Sequence, residues 1–435
     1  MVATAHAFVD YMGYPAAMSA SVPRLLLLAP HNSYRIAPYL LAAQELGVEV
    51  TVASAGRHSL VSAISEGLHI DFDEPAAALA VLQQAHLSTP FSAVIGSDDH
   101  SSELACQAAA IFGLPYNPPG AAAIARRKDK ARACLLAAGV RVPSHFLLDL
   151  QQPLAAQLGK LRYPCVLKPL ALSASRGVIR ADDAAAFSRA AARIETILRD
   201  NQHAEEGRYV LVEDYIEGIE VAYEGLLDHG ELQQLALFDK PDALQGPFFE
   251  ETYYITPSRH NEGLQRAVHK TVADACRAYG LQQGPVHAEV RIDAHGRVWV
   301  MEVAARTIGG ECARLVELAT GQRLETLVLA QALGQPLPCS KFSGGAGVLM
   351  IPIAEAGILR RVEGTLAAQA VEGIAELVIS VREGHELLPV PDGSSYLGFI
   401  YAVTEDAAQA EQALREAHAK LKIVTAPLFR LHAGQ

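Results

Sequence analysis

The sequence predicts a multidomain protein of mixed α/β and α+β class, and three observations carry that prediction. Strand-like and helix-like segments alternate from Arg24 to Pro119; shorter strands around one long helix follow; and near residue 290 a two-stranded hairpin carries two glutamates. A chain of 435 residues, half of it apolar, is long enough for two or three domains with sizeable cores.

The first 23 residues contain no Lys or Arg and include Asp10, so residues 1–23 read as a loose leader rather than a secretory signal. From Arg24 the order is a strand (RLLLLAP), a helix (APYLLAAQELG), a strand (VEVTVAS), further helix, a strand (FSAVIGSDD) and the helix SSELACQAAAIFG. This alternation predicts a parallel three-layer domain over residues 24–119. Its strand ends, at residues 31–35 and at Asp98 and Asp99, face a crevice of the kind where ligands bind. Ser33 there reads first as a helix cap and Arg35 as an exposed residue at a helix start.

A helix over residues 124–138 follows, closed by Gly139 and Pro143. The short strands HFLLDL, CVLKPL, GVIRAD and YVLVEDYI, with a helix over 184–199, form a small α+β lobe at about 143–216. The pair VAYEGLLDHGELQQLALFDK turns at His229 and Gly230, and a helix from Glu262 to Tyr279 leads into the glutamate hairpin. The main domain spans 120–338. A C-terminal α+β unit over 339–435 contains GVLMIPIAEAG, ELVISVREG and SYLGFIYAV as strands and residues 406–421 as a helix.

Composition narrows the class. No apolar run approaches the roughly 20 residues of a membrane-spanning helix. A formal net charge of −12 argues against nucleic acid as a bulk partner but permits a local cationic pocket. The six cysteines (Cys106, Cys134, Cys165, Cys276, Cys312 and Cys339) form no CxxC pair, which suits buried thiols in a reducing cytoplasm. A cytoplasmic protein with neither a nucleic-acid nor a membrane partner is expected.

In the hairpin, HAEVRID and RVWVMEVAAR alternate on either side of the turn cluster Asp293, Ala294, His295 and Gly296. With those four residues as the turn, Glu289 lies opposite Val300. Glu289 and Glu302 are then diagonal neighbours about 7–8 Å apart on one face, while Val290, Ile292, Trp299 and Met301 occupy the other. Two carboxylates beside a core-building face can hold a hard cation such as Mg²⁺, and a half-exposed hairpin with two solvated glutamates reads identically.

Lys168 ends the buried strand YPCVLK and precedes a loop of small residues with Ser173, Ser175, Arg176 and Gly177. A cation beside such a loop suits nucleotide phosphates, whereas a lone strand-end Lys more often reaches out to water. Lys130, in RRKDK, reads alone as a solvated charge. Glu213 ends YVLVEDYI and Glu220 follows the Gly218 turn, an arrangement that can serve an adenine edge and ribose hydroxyls or form a plain surface loop. His287 shares the carboxylate face, as an orienting group or as a satisfied half-buried histidine. Residues 307–310 open a predicted helix (ECARLVELA), so Gly309 and Gly310 supply either an anion site or a tight turn.

The order DK, YPCVLK with its small-residue loop, LVEDYIEGIE, HAE and MEVAAR resembles the ATP-grasp superfamily over Arg24 to Gly334. The resemblance implies an ATP-grasp fold with an N-terminal Rossmann-like domain, a mobile lid lobe and an additional C-terminal domain. It implies Lys130 and Lys168 at the ATP phosphates and Ser173, Ser175, Arg176 and Gly177 in the covering loop. Glu213, Asp214, Tyr215 and Ile216 become the adenine hinge, Glu220 the ribose contact and Lys240 a looser γ-phosphate contact. Glu289 and Glu302 become ligands of Mg²⁺, with Mn²⁺ as a substitute ion. Arg306 becomes the guanidinium that holds the transferred phosphoryl group or a substrate carboxylate. His287, Gly309 and Gly310 join it on the substrate side.

Two departures refine the resemblance. Many ATP-grasp enzymes, biotin carboxylase among them, have Asn two places after the second metal glutamate; this chain has Ala304. Its phosphate loop carries one glycine, Gly177, in place of a glycine run. Both look like the L-amino-acid ligase branch, as does the C-terminal unit. The implied reaction joins a carboxylate to an amine, with amino acids as substrates, through an acyl phosphate with release of ADP and phosphate. A homodimer is a family-level expectation. The rival readings are an ATP-dependent carboxylase or nucleotide-pathway ligase of the same fold, a kinase-like use of it, and a non-catalytic ATP sensor.

Overall fold

A computed structural model describes residues 22–55, 66–157, 159, 161–199, 204–310, 312–337, 343–393 and 395–428. Most of the leader, Cys339 and the predicted boundary near residue 339 lie outside the described residues.

The apolar run after Pro23 forms β1 (Arg24–Leu28), the centre of a parallel sheet with β2 (Glu49–Ser54), β3 (Glu66–His69) and β4 (Ala93–Gly96) in the order β3-β2-β1-β4. Both faces of β1 are covered, so Leu25 to Leu28 are all fully buried, as expected of a parallel strand without alternation. The strand β3 was not anticipated. Helices Ile36–Leu46, Pro75–Ser88 and Asp99–Phe112 cover this sheet.

The predicted helix over 124–138 is two helices, Ala121–Arg126 and Lys128–Ala137, broken where Arg127 adopts an extended conformation. Arg127 closes onto Asp129 through two 3.0 Å hydrogen bonds. No glycine or proline marks that break. The lid is an antiparallel sheet of β5 (His145–Asp149), β6 (Cys165–Pro169), β7 (Ile179–Ala181) and β8 (Tyr209–Asp214), ordered β5-β8-β6-β7 and backed by the helix Ala184–Leu198.

The scaffold of the cleft is one eight-stranded antiparallel sheet. Five of its strands come from the middle of the chain: β9 (Ile219–Asp228), β10 (Glu231–Asp239), β11 (Tyr253–Thr256), β12 (Gly284–Ile292) and β13 (Val298–Ala304). The C-terminal region adds β14 (Gly345–Ile351), β15 (Gly357–Glu363), β16 (Ile374–Ile379), β17 (Glu386–Leu387), β18 (Gly398–Thr404) and β19 (Lys422–Ala426). The order β13-β12-β9-β10-β11-β14-β18-β16 carries the sheet without interruption into the C-terminal region, while β15, β17 and β19 form a separate small sheet. On one side of the large sheet Ala222, Phe238, Tyr254, Val348, Met350 and Phe399 join one core; on the other Val221, Leu237, Val290 and Val300 join a second.

The hairpin register differs from the simple expectation. Glu289 pairs directly with Glu302, and Val290 with Val300, so Met301 is an extra, bulged residue. The bulge moves Val298 and Val300 into the core beside Val290 and Ile292, while Trp299 is half-buried outside it and Met301 faces the cleft. The two glutamates are direct neighbours, a relationship that sets Cβ atoms about 4.5–5.5 Å apart.

Candidate active site

The lid, the large sheet and the N-terminal domain enclose a cleft of about 790 Å³. Glycine geometry fixes the joint between the lid and the large sheet. Gly218 has φ 147°, and a Cβ there would lie 2.1 Å from the Ile292 carbonyl oxygen; only glycine lets the joint between β8 and β9 pack on the hairpin end. Gly177, at φ 72°, packs on the Pro169 ring, where a Cβ would be 2.7 Å from Cγ.

Lid and sheet meet through a buried ion network. Glu213 bonds Arg132 on one oxygen and Lys168 Nζ, at 2.7 Å, on the other. Burial alone would raise the Glu213 pKa, but the two cations outweigh it and lower it to about 2. Arg132 also donates to the carbonyl of the bulged Met301 at 2.6 Å, so the bulge supplies an acceptor that joins the lid network to the glutamate hairpin.

The cleft takes Lys128 where the sequence pointed to Lys130. Lys130 is exposed and outside the cleft lining. Lys128 is buried in it, donating to the Leu172 carbonyl at 2.6 Å and lying 3.8 Å from a Glu302 oxygen. The break at Arg127 resets the helical phase, which is why the residue two positions earlier faces inward.

The cleft lining contains Lys168, Ser173, Ser175 and Arg176 from the lid, then Glu213, Asp214, Tyr215, Ile216 and Glu220 at the joint. Gly177 lies behind this lining against Pro169. Lys240 is also absent from the lining and is nearly enclosed: its Nζ bonds Glu220 at 2.8 Å, contacts Glu251 and lies 3.5 Å from Glu289. One carboxylate atom from each of Glu220, Glu251 and Glu289 falls within 4.8 Å of the others. Glu302 stands outside that trio, next to Lys128. Burial and the charge of Glu289, against the pull of Lys240, raise Glu251 to about 7. Glu251 was not singled out from the sequence because it lies in a loop before β11 where no periodicity marks a face. Its contact with Tyr254, whose hydroxyl donates to it at 2.7 Å, is tertiary information.

The opposite wall gathers Arg306, Gly309 and Gly310 with residues of the N-terminal domain. Arg306 donates from Nε to Asp99 at 2.9 Å and from Nη1 to the Thr307 carbonyl at 3.1 Å. Burial would lower the Arg306 pKa, but Asp99 and Glu302 raise it instead, so the guanidinium is permanently charged. Arg35 is buried, contrary to expectation, and pairs with Asp98 at 2.8 Å. Its Nη2 donates to the Thr307 and Ile308 carbonyls. Ser33 lies two residues before the N-cap Arg35; its Oγ accepts the Arg35 N–H at 3.4 Å at the helix start and its hydroxyl donates to Asp98 at 2.9 Å. The helix after Arg306 begins at Ala313, so Gly309 and Gly310 form a turn ahead of it rather than its first residues. His287 lies between Glu224, 3.0 Å from Nδ1, and Glu289, 3.8 Å from Nε2. Burial would lower the His287 pKa, but the two carboxylates raise it to about 9.

A parallel N-terminal domain, a four-stranded lid and an antiparallel sheet whose cleft gathers lysines, arginines and carboxylates define an ATP-grasp ligase, a class that forms carbon–nitrogen bonds. Three family profiles match in chain order: the ATP-grasp N-terminal domain over residues 40–116, the ATP-grasp domain over 161–314 and the L-amino acid ligase C-terminal domain 2 over 349–426. The crystal structure of L-amino acid ligase from Bacillus licheniformis superposes with a TM-score of 0.76 at 27% identity, covering 93% of this chain and 98% of that one. D-alanine--D-alanine ligase of Gloeobacter violaceus is 30% identical over 234 residues, 50% of this chain and 73% of that protein. Alanine--anticapsin ligase of Bacillus subtilis is 25% identical over 225 residues, 48% of this chain, so the match spans about half (47%) of that relative. The chain belongs to the ATP-grasp superfamily, in its L-amino-acid ligase branch. Among the described residues no helix is long and apolar enough to cross a membrane.

Proposed function

We propose that the protein joins an amino acid, or a similar small carboxylate, to the amine of a second one through an acyl phosphate, converting ATP to ADP and phosphate. One observation carries the reading. A single cleft is lined at once by Lys128 and the lid cations Lys168 and Arg176, by the hairpin pair Glu289 and Glu302, and by Arg306 with its glycine turn.

The residues fit the reactants. Arg176 lines the cleft, and its buried Nε has no hydrogen-bond partner among the described residues, which suits a phosphate oxygen. The carboxylates at Glu220, Glu251 and Glu289 form a hard-oxygen donor set. Glu289 and Glu302 would hold magnesium or manganese, which when bound supplies charge neutralisation across the phosphate oxygens. Asp214, Tyr215 and Ile216 would frame the adenine and Glu220 the ribose.

The residues' own contributions follow from their contacts. Lys128 and Lys168 are fixed by the Leu172 carbonyl and by Glu213, so their charges are pre-positioned where the transferring phosphoryl group gains negative charge. Asp99 and the Thr307 carbonyl occupy Nε and Nη1 of Arg306. This leaves Nη2 as the guanidinium nitrogen without a protein partner among the described residues, and it would orient the reacting carboxylate. The lid would exclude water until the amine attacks the acyl phosphate, which otherwise hydrolyses.

Phosphate release screened over pairs of amino acids, with the product identified by mass spectrometry, tests the reading: release must depend on the amine. Glu302→Gln should abolish it, and normal turnover in that variant would overturn the metal assignment.

A further inference from the structure

Glu224 is a fully buried carboxylate on β9 that does not line the cleft. It shares a strand face with Ala222 and Leu226, both part of the apolar core. Burying a carboxylate among apolar neighbours is unfavourable unless each oxygen is satisfied. Both are, by groups that flank the cleft on different sides. One oxygen accepts the Ile308 N–H at 3.1 Å, and the other pairs with His287 Nδ1 at 3.0 Å.

Ile308 lies between Arg306 and the Gly309–Gly310 turn, and its carbonyl is held by Arg35 at 3.2 Å. The Thr307 carbonyl accepts from both Arg306 and Arg35. The turn is therefore fixed through its carbonyls by two guanidiniums and through one N–H by Glu224. On the other side His287 pairs across β9 and β12 with Glu224, and its Nε2 faces Glu289 at 3.8 Å. Ile308, Glu224, His287 and Glu289 thus form one contact path from the substrate turn to the hairpin carboxylate.

We propose that Glu224 is a positioning residue for the ligase reaction, setting the Ile308–Gly310 turn and the His287–Glu289 pair in one mutual geometry so that the carboxylate held by Arg306 meets the phosphate. The inference rests on the ligase reading above. It requires that Glu224 act on the amino-acid side and, through His287, at Glu289, while the lid's own hold on the nucleotide is left alone, because none of its partners belongs to the lid.

The test combines two readouts. In Glu224→Ala, hydrogen–deuterium exchange in the peptide carrying Ile308 should accelerate while lid peptides stay unchanged. The apparent KM for the carboxylate substrate should rise with kcat/KM falling about 100-fold, as expected when a reacting group is misplaced by a fraction of a bond length or more. Affinity for a non-hydrolysable ATP analogue measured without magnesium, which leaves Glu289 out of the reading, should stay within about twofold. Glu224→Gln, whose amide oxygen still accepts from Ile308, should recover most of the loss. Unchanged exchange at Ile308, or parallel loss of nucleotide affinity and substrate affinity, overturns the proposal. Should Glu224→Ala fail to fold, Glu224→Asp, whose shortened carboxylate cannot reach both partners, combined with His287→Asn decides it: one shared path makes the double variant no worse than the poorer single, and multiplying defects overturn it. Wild-type protein that releases no phosphate with any amino-acid pair would defeat the ligase reading, whereas the exchange readout still judges the Glu224 linkage.

Discussion

At the lid end of the cleft, charged side chains interlock: Glu213 holds Arg132 and Lys168, Lys240 bridges Glu220 and Glu251, and Arg291 returns to Glu220 at 2.7 Å. Toward the C-terminal strands the lining changes to Tyr254, Met350, Tyr396 and Phe399. Glu220 and Arg291 stand on the same eight-stranded sheet as Tyr254, Met350 and Phe399, with the lid sheet adding Glu213 and Lys168, so within the large sheet the difference is chemical rather than architectural. Under the ligase reading the charged end receives a constant reactant whose phosphates demand charges fixed in advance. The aromatic end receives a variable one, for which apolar walls and a side-chain-free Gly309–Gly310 turn give shape without directional demands. Substitutions at the charged end should therefore change stability or nucleotide handling for every substrate pair, and those at the aromatic end should change which pair is used.

The largest effect is expected in the Glu213 network. Its folded-state pKa, about 2, lies below the ordinary 4.5, so the stabilisation is fully present above about pH 4.5 and disappears as pH falls toward 2. The shift corresponds to on the order of 3 kcal/mol. Denaturant unfolding of wild type and Glu213→Gln should differ most near neutral pH and converge across that acid window; a gap independent of pH would show that the pair is not the source.

Next in size is the contrast between the two lysines. Lys128→Ala should weaken binding of a non-hydrolysable ATP analogue by about 30-fold, the scale of one charged hydrogen bond, and Lys130→Ala by less than about twofold. Equal effects in the two variants would put the helix break at Arg127 in the wrong place and erase the sharp edge of the charged wall.

That contrast also marks where sequence reasoning stops. The parallel domain, the lid strands, the helix Glu262–Tyr279 and the glutamate hairpin all follow from periodicity and turn chemistry, which are local. The side-chain phase at Lys128 depends on Arg127 leaving the helix for its pairing with Asp129, and no breaker residue announces it. The bulge at Met301 is equally silent, because alternation in RVWVMEVAAR is compatible with either register until packing of Val298 and Val300 selects one. Glu224 had a signal: it lies four residues after Glu220 in a strand and therefore on the same face. The continuation of the sheet into β14 and β18 had none, since strand pairing across 90 residues of chain is not written in either segment.

A smaller effect is expected at the aromatic wall. Tyr396 is half-buried, and its ring meets Phe399 at 6.1 Å between centroids. Tyr396→Ala should shift relative kcat/KM between a large and a small amino-acid substrate by about 10-fold, the usual scale for pocket methylene contacts, with the KM for ATP unchanged. A change in the ATP constant of the same size would mean that the two ends of the cleft are not separable.

The smallest effect probes the place where the two ends touch. The loop that brings Tyr396 to the cleft also reaches the lid: Asp392 accepts from Arg193 at 2.5 and 3.2 Å, and the Pro391 carbonyl accepts the Gly177 N–H at 3.3 Å. The ion pair is about half exposed, with side chains 44% and 45% accessible, so it contributes under about 1 kcal/mol. Arg193→Ala should therefore raise phosphate release in the absence of amine only about two- to threefold, by letting water reach the acyl phosphate more often. The exchange Arg193→Asp with Asp392→Arg should bring the leak back down, since it restores the attraction while leaving the backbone bond between Gly177 and Pro391 in place. If the exchanged pair leaks as much as Arg193→Ala, the lid is held by that backbone bond and by apolar packing alone. The aromatic loop would then reach the phosphate loop through a rigid contact that salt does not screen, which measurement of the leak at low and high ionic strength separates from an ion pair.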